Sequence, residues 1–149
     1  MSSKTKTTTL SSEAVNEFLV SYHAPIRVSG ITSSGYPIIC SLWFEYVDGV
    51  IWCATQKNSN MAKLFANNPN CAFELSPNEP PYFGVRGQGR VSLQTENAGE
   101  LLGRLIDKYL ETRESGLAKY LLSRVENEVA IRITPEKFFT WDYRERMQK

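Results

Sequence analysis

The chain has 149 residues, 42% of them hydrophobic and 22% charged, with a formal net charge of +1. That length suits one domain with a core of its own, and the balanced charge excludes a broad pull toward nucleic acid or an anionic membrane. No apolar run is long enough to span a bilayer.

Residues 1–9, MSSKTKTTT, are polar and lack the apolar core of an export signal. They read as a flexible tail ahead of a single domain over 10–149, in a cytoplasmic protein. Ser12 is placed to cap a helix reaching to about Tyr22, with Glu13 in its first turn. Val15, Phe18, Leu19 and Tyr22 recur at helical spacing and mark its apolar stripe. Pro25 closes that segment next to His23, the one histidine of the chain. A single histidine supports neither a His-based triad nor a multi-His metal site.

Ile26 to Thr32 predicts a strand, and Ser33-Ser34-Gly35 a turn. Pro37 to Tyr46 predicts a second strand, with Ile38, Cys40, Leu42, Phe44 and Tyr46 on one face. Ile39, Ser41, Trp43 and Glu45 lie on the other. Asp48-Gly49 is a hairpin signal, and Val50 to Thr55 returns antiparallel. A polar turn, Lys57-Asn58-Ser59, leads into a short amphipathic helix over 60–67. Such a strand–turn–helix passage offers free amide groups at the helix start, where proteins often hold a phosphate. Neither Asn60 nor Met61, just inside that helix, carries a charge.

Cys71 to Ser76 predicts another strand, followed by the Pro-rich loop PNEPPY. Phe83 to Gln94 alternates cleanly, and its glycines point to a bend or bulge. Arg86, Gln88 and Arg90 share its polar face. Glu96 to Leu110 and Leu117 to Val125 read as helices. Val129, Ile131 and Ile133 alternate along a strand that stops at Pro135, and Phe138 to Tyr143 forms a last one. The cysteines, Cys40, Cys53 and Cys71, are odd in number and lack CxxC spacing. That argues against disulfides and zinc and for buried thiols. Six or seven mostly antiparallel strands with inserted helices imply a small barrel, mainly β, whose interior is filled by side chains. A ligand would then lie outside the barrel, in a groove or at a subunit contact.

Four stretches carry a resemblance. They are SGITSSGYPIICSLWFEYVDGVIWCAT, NSNMAKLFANNPNCAFEL, PPYFGVRGQGRVSL and ITPEKFFTWDYRERM, in that order over about residues 14 to 145. The chain resembles the pyridoxamine 5′-phosphate oxidase-related, FMN-binding split β-barrels. The resemblance implies a homodimer with FMN at its interface and an oxidoreductase activity on a small substrate. It implies that Ser41, Leu42 and Trp43 flank the flavin ring. Ala54, Thr55, Lys57, Ser59, Asn60 and Met61 would lie along its tail and phosphate, with Arg86 and Trp141 as further contacts. The family's serine at the helix start is followed by basic residues, whereas here Ser59 is followed by Asn60 and Met61.

Charge-assisted hydrogen bonds are about twice as strong as neutral ones, so losing two of them weakens phosphate binding by about two to four powers of ten. Lys57, Lys63, Arg86 and Arg90 are the candidate replacements. Trp43 reads equally as a wall for an aromatic cofactor and as interface packing. No acid or base is assigned. The alternative is a split-barrel dimer that has lost FMN and binds a deazaflavin, a haem-like ligand or a small metabolite, or that carries flavin without turnover.

Overall fold

A computed structural model describes residues 9–148; the tail expected over 1–9 therefore lies, all but its last residue, outside the described chain. The first helix, α1 (Ser12–Ser21), starts at the residue expected to cap it, so its cap lies one residue earlier. Ser11 is the extended residue, and its hydroxyl accepts from Ala14 N at 3.1 Å. Then come β1 (Ile26–Ile31), β2 (Pro37–Leu42), β3 (Phe44–Val47), β4 (Val50–Gln56), α2 (Asn60–Asn67) and β5 (Asn70–Leu75). They are followed by β6 (Phe83–Gln94), α3 (Ala98–Leu110), α4 (Gly116–Ser123), one 3₁₀ turn (Val125–Asn127) and β7 (Glu128–Asp142). The helix expected over 117–125 thus ends at Ser123, and the chain tightens into the 3₁₀ turn before β7 begins.

The strands form one antiparallel sheet in the order β2-β1-β5-β6-β7-β4-β3. Its two edges, β2 and β3, are consecutive pieces of one chain joined at Trp43. The expected single strand over 37–46 is thus broken. Its first half pairs with β1 and its second half with β4. This is how a seven-stranded sheet curls into a barrel without pairing its edges. The alternation runs through the break, so Ile38, Cys40, Leu42, Phe44 and Tyr46 all face the main core.

That core holds the fully buried Leu19, Ile26, Val28, Phe44, Ile51, Ile131 and Ile133, with α1 and α2 contributing Val15, Leu64 and Phe65. Cys53 and Cys71 are buried there and Cys40 half-buried, all three as free thiols. Burial pushes the Cys71 thiol up to about 11 and the other two upward as well. Thiols held this far toward the protonated form are poor nucleophiles. On the outside of β4 and β7, α3 buries Leu101 and Leu105 against Ala130, beside Trp43, Trp52 and Ala54.

The C-terminal strand differs from its expected form. β7 does not stop at Pro135 but runs on to Asp142. Pro135 lies opposite Gly89 and Lys137 opposite Gln88, so Glu136 is the extra residue of a bulge. A bulge is where a sheet tolerates a residue with no N–H to give.

Candidate functional site

Trp43, the residue at which the sheet splits, is also the centre of the candidate site. Its indole stacks on Tyr109 of α3, with ring centroids 5.2 Å apart and planes 6° off parallel. The backbone beside it is clamped from α3. Lys108 Nζ donates to Phe44 O at 2.7 Å and lies 4.0 Å over the Phe44 ring. Tyr109 Oη accepts from Phe44 N at 3.4 Å and donates to Ala24 O at 3.3 Å. Burial depresses the Lys108 ammonium, against the pull of Glu45, and lifts the Tyr109 phenol to about 12. Both groups hold the split in place. His23 is exposed and lies beside the Tyr109 ring at 5.3 Å.

Next to Trp43 is a cavity of about 280 Å³. It is lined by Ser41, Leu42 and Trp43 at the split, Ala54 of β4, Leu102 and Leu105 of α3, Leu117 and Leu121 of α4, and Glu128 of β7. Small-molecule sites run upward from about 300 Å³, so this cavity admits a ring system and leaves a long phosphate-bearing tail outside. Four residues expected to flank a ring or tail, Ser41, Leu42, Trp43 and Ala54, are thus brought together. Thr55 is not: it pairs with Val129 and points to the opposite face of β4 from Ala54.

The turn after β4 is fixed from outside. Lys57 N donates to Asn127 O at 2.8 Å. Ser59 caps α2, its hydroxyl accepting from Ala62 N at 3.1 Å. The amides of Asn60 and Met61 begin the helix and have no carbonyl one turn back to bond. The Asn60 side chain is exposed, while that of Met61, 8% exposed, is buried in the main core. The donor set therefore fits an aromatic ring in the cavity. For a phosphate it offers backbone amides and the exposed Lys57, without the paired cations.

The remaining expected contacts lie apart from the cavity. Arg86 stands on the outer face of β6, 3.4 Å from Glu74, with its guanidinium 4.2 Å over the Trp141 ring. Trp141 itself covers Gly84, where a β-carbon would come within 2.6 Å of the indole. That face also holds two adjoining hollows of about 460 and 270 Å³, which share Ser29, Ala72 and Gln88. Lys63 and Arg90 are exposed.

The sequence did not reveal that Leu117 and Leu121 of α4 and the carboxyl of Glu128 line this cavity. Glu128 is 7% exposed, and burial raises its pKa. Gln56 opposite it on β4 hydrogen-bonds its Oε2, and Arg124 acts on it through space; both pull the pKa back down. A lone charge at the head of Glu128-Val129-Ala130-Ile131 was the available signal. Among the described residues no group of three or more His, Cys, Asp or Glu is placed to hold a metal ion.

No protein-family model and no curated protein matches the sequence. Solved structures do. The conserved hypothetical protein Rv2991 from Mycobacterium tuberculosis superposes with a TM-score of 0.79 at 21% identity, over 95% of this chain and 91% of that one. A FAD-binding protein from Mesorhizobium loti reaches 0.65 at 18% identity, over 89% and 94%. A candidate pyridoxamine 5′-phosphate oxidase from Listeria innocua reaches 0.64 at 16% identity, over 84% and 94%. The fold is therefore the split β-barrel of the pyridoxamine 5′-phosphate oxidase-like proteins, mainly antiparallel with helices packed on it.

Proposed function

We propose that the protein is a flavin-binding oxidoreductase, with FMN as cofactor, acting as a cytoplasmic homodimer on a small molecule. The observation that carries the reading is the cavity at the sheet split, which unites Ser41, Leu42, Trp43 and Ala54 around a space of ring size. The FAD-binding neighbour of the same fold supports it. A bound flavin would supply the redox chemistry of its ring. The chain would do the rest. Trp43 and Ser41 would face the ring with Leu42 flanking it in the chain, the leucines of α3 and α4 would exclude water, and the amides of Asn60 and Met61 would receive the phosphate. Lys57 would add charge to that turn, with Lys63, Arg86 and Arg90 as the other candidate cations. Arg86 and Trp141 would reach a cofactor only from the partner of a dimer.

The dimer would form through the outer face of β1, β2, β6 and β7. Ile31, Ile39 and Phe139 are 40%, 72% and 48% exposed there, around the two adjoining hollows.

The test is a titration of cofactor-free protein with FMN, followed by flavin fluorescence, with riboflavin in parallel. FMN bound at micromolar or tighter and better than riboflavin supports the reading. No saturable binding of either up to about millimolar, a free energy of about −4 kcal/mol, sinks it. A second reading draws on the uncharged Asn60 and the inward Met61. In it the same cavity holds a ring ligand without a phosphate requirement, such as a deazaflavin, a haem-like group or a small metabolite, or the protein carries flavin without turnover. Riboflavin bound as tightly as FMN would favour it.

A further inference from the structure

Glu128 is the one charged side chain among the buried residues of the described chain, and it lines a cavity whose other side chains are apolar apart from the Ser41 hydroxyl and the indole N–H of Trp43. An ionised carboxylate only accepts hydrogen bonds, at about four lone-pair positions. Gln56 of β4 supplies one donor, while the same Nε2 also reaches Arg124 O at 3.4 Å. Arg124, at the end of α4, is the cation acting on the carboxyl. Its guanidinium is engaged elsewhere: Nη1 donates to Tyr120 Oη at 2.8 Å, and the group lies 5.4 Å from the centre of that ring. From α3 and α4 the carboxyl is otherwise faced by leucines, which have nothing to donate.

A ligand that fills the cavity without a donor would cover an unmatched carboxyl, at a cost well above the worth of one hydrogen bond. Sites built around a buried polar group reject analogues that lack the matching group. Resting on the flavin reading above, the geometry points to Glu128 as the specificity-determining residue of the cavity. It selects planar rings that present an amide- or imide-type N–H to its carboxyl, and it turns anionic substituents outward, toward the turn at 57–61. The isoalloxazine ring has one such imide N–H, flanked by two carbonyls.

The experiment is a fluorescence titration with lumiflavin and with 3-methyllumiflavin, which differ only in that N–H and carry no phosphate. Lumiflavin is expected to bind about ten- to a hundredfold more tightly. The ratio should widen as pH rises from about 4 to about 8, through and above the ordinary carboxyl range. Both rings desolvate the charge equally, and only one can donate to it. Glu128→Ala should bring the ratio close to one. Glu128→Gln should keep a preference, since its amide oxygen still accepts, but make that preference independent of pH. Equal binding of the two rings, or a ratio unchanged in Glu128→Ala, overturns the assignment of Glu128 and leaves the flavin reading standing. Binding of neither ring overturns the assignment of Glu128, and the flavin reading falls with it only if FMN and riboflavin also fail to bind.

Discussion

At the start of α2 two neighbouring side chains have opposite fates, and that decides which of them can be re-engineered. Met61 is held in the core at 8% exposure, so a charge placed there would be buried without a partner. Asn60 is exposed one residue earlier. Asn60→Arg should therefore strengthen FMN binding about ten- to a hundredfold, the worth of one charge-assisted contact, and leave riboflavin unchanged. Parallel titrations of the two flavins check this. Glu128 makes a second residue-scale prediction. Burial is the largest influence on its carboxyl and raises its pKa above the unfolded value. The folded state thus favours the protonated form. The stability this contributes is fully present below the unfolded pKa and is lost as pH rises through the folded one. Glu128→Gln, which keeps an acceptor for Gln56 and removes the charge, should raise the melting temperature at pH 8 and leave it unchanged at about pH 4. Thermal unfolding at the two pH values tests it, and an equal shift at both would contradict burial as the cause.

Across the elements, the long β6–β7 pair sets the curl of the sheet, and its bulge sits where glycines let backbone and rings come close. A β-carbon on Gly87 would meet Lys137 O and the Phe73 ring at 2.4 Å, and one on Gly89 would meet Thr134 O at 2.6 Å. Backbone on the far side cannot give way as a long side chain can. Gly87→Ala should cost about 1–3 kcal/mol, measured by urea unfolding. These glycines were readable in the sequence because they leave the apolar face of a regular alternation without side chains at two successive positions. Pro135 was misread as a stop, because a missing donor does not reveal whether the ladder ends or only skips a residue. The core face of 37–46 was legible for the same reason that its break was not. Side chains keep alternating through Trp43, whichever strand lies alongside. The Gln56–Glu128 pairing joins residues 72 apart, and only the register of β4 on β7 places them together. The strands and their closure into a barrel could thus be read from local pattern, whereas Ser41, Leu42, Trp43 and Ala54 were expected at a site only through the family resemblance. The placing of α4 and of the carboxyl at the cavity depends on long-range pairing that no local pattern encodes.

For the molecule as a whole, the cavity and the exposed apolar face lie on different parts of the sheet, and a dimer would connect them. The cavity is large enough for a ring, while Arg86 and Trp141 stand together away from it. If two copies pair through Ile31, Ile39 and Phe139, each could bring that cation and indole toward the other's site. Ile39 is the probe of choice. At 72% exposure it contributes little to the monomer's own core, and the cavity does not include it. Ile39→Glu should therefore leave the melting temperature of a monomer nearly unchanged while placing a charge at the centre of the apolar face, where burial against a partner is costly. Sedimentation of the unaltered protein at micromolar concentration is expected to give twice the monomer mass, and the variant the monomer mass. Flavin binding by the variant then separates two arrangements. A loss of FMN affinity with riboflavin and FMN falling together means that the partner completes the ring site. A loss confined to FMN means that the partner's Arg86 supplies the phosphate charge missing at Asn60 and Met61. Unaltered protein that sediments as a monomer would remove the dimer, and with it any part for Arg86 and Trp141 in holding the cofactor.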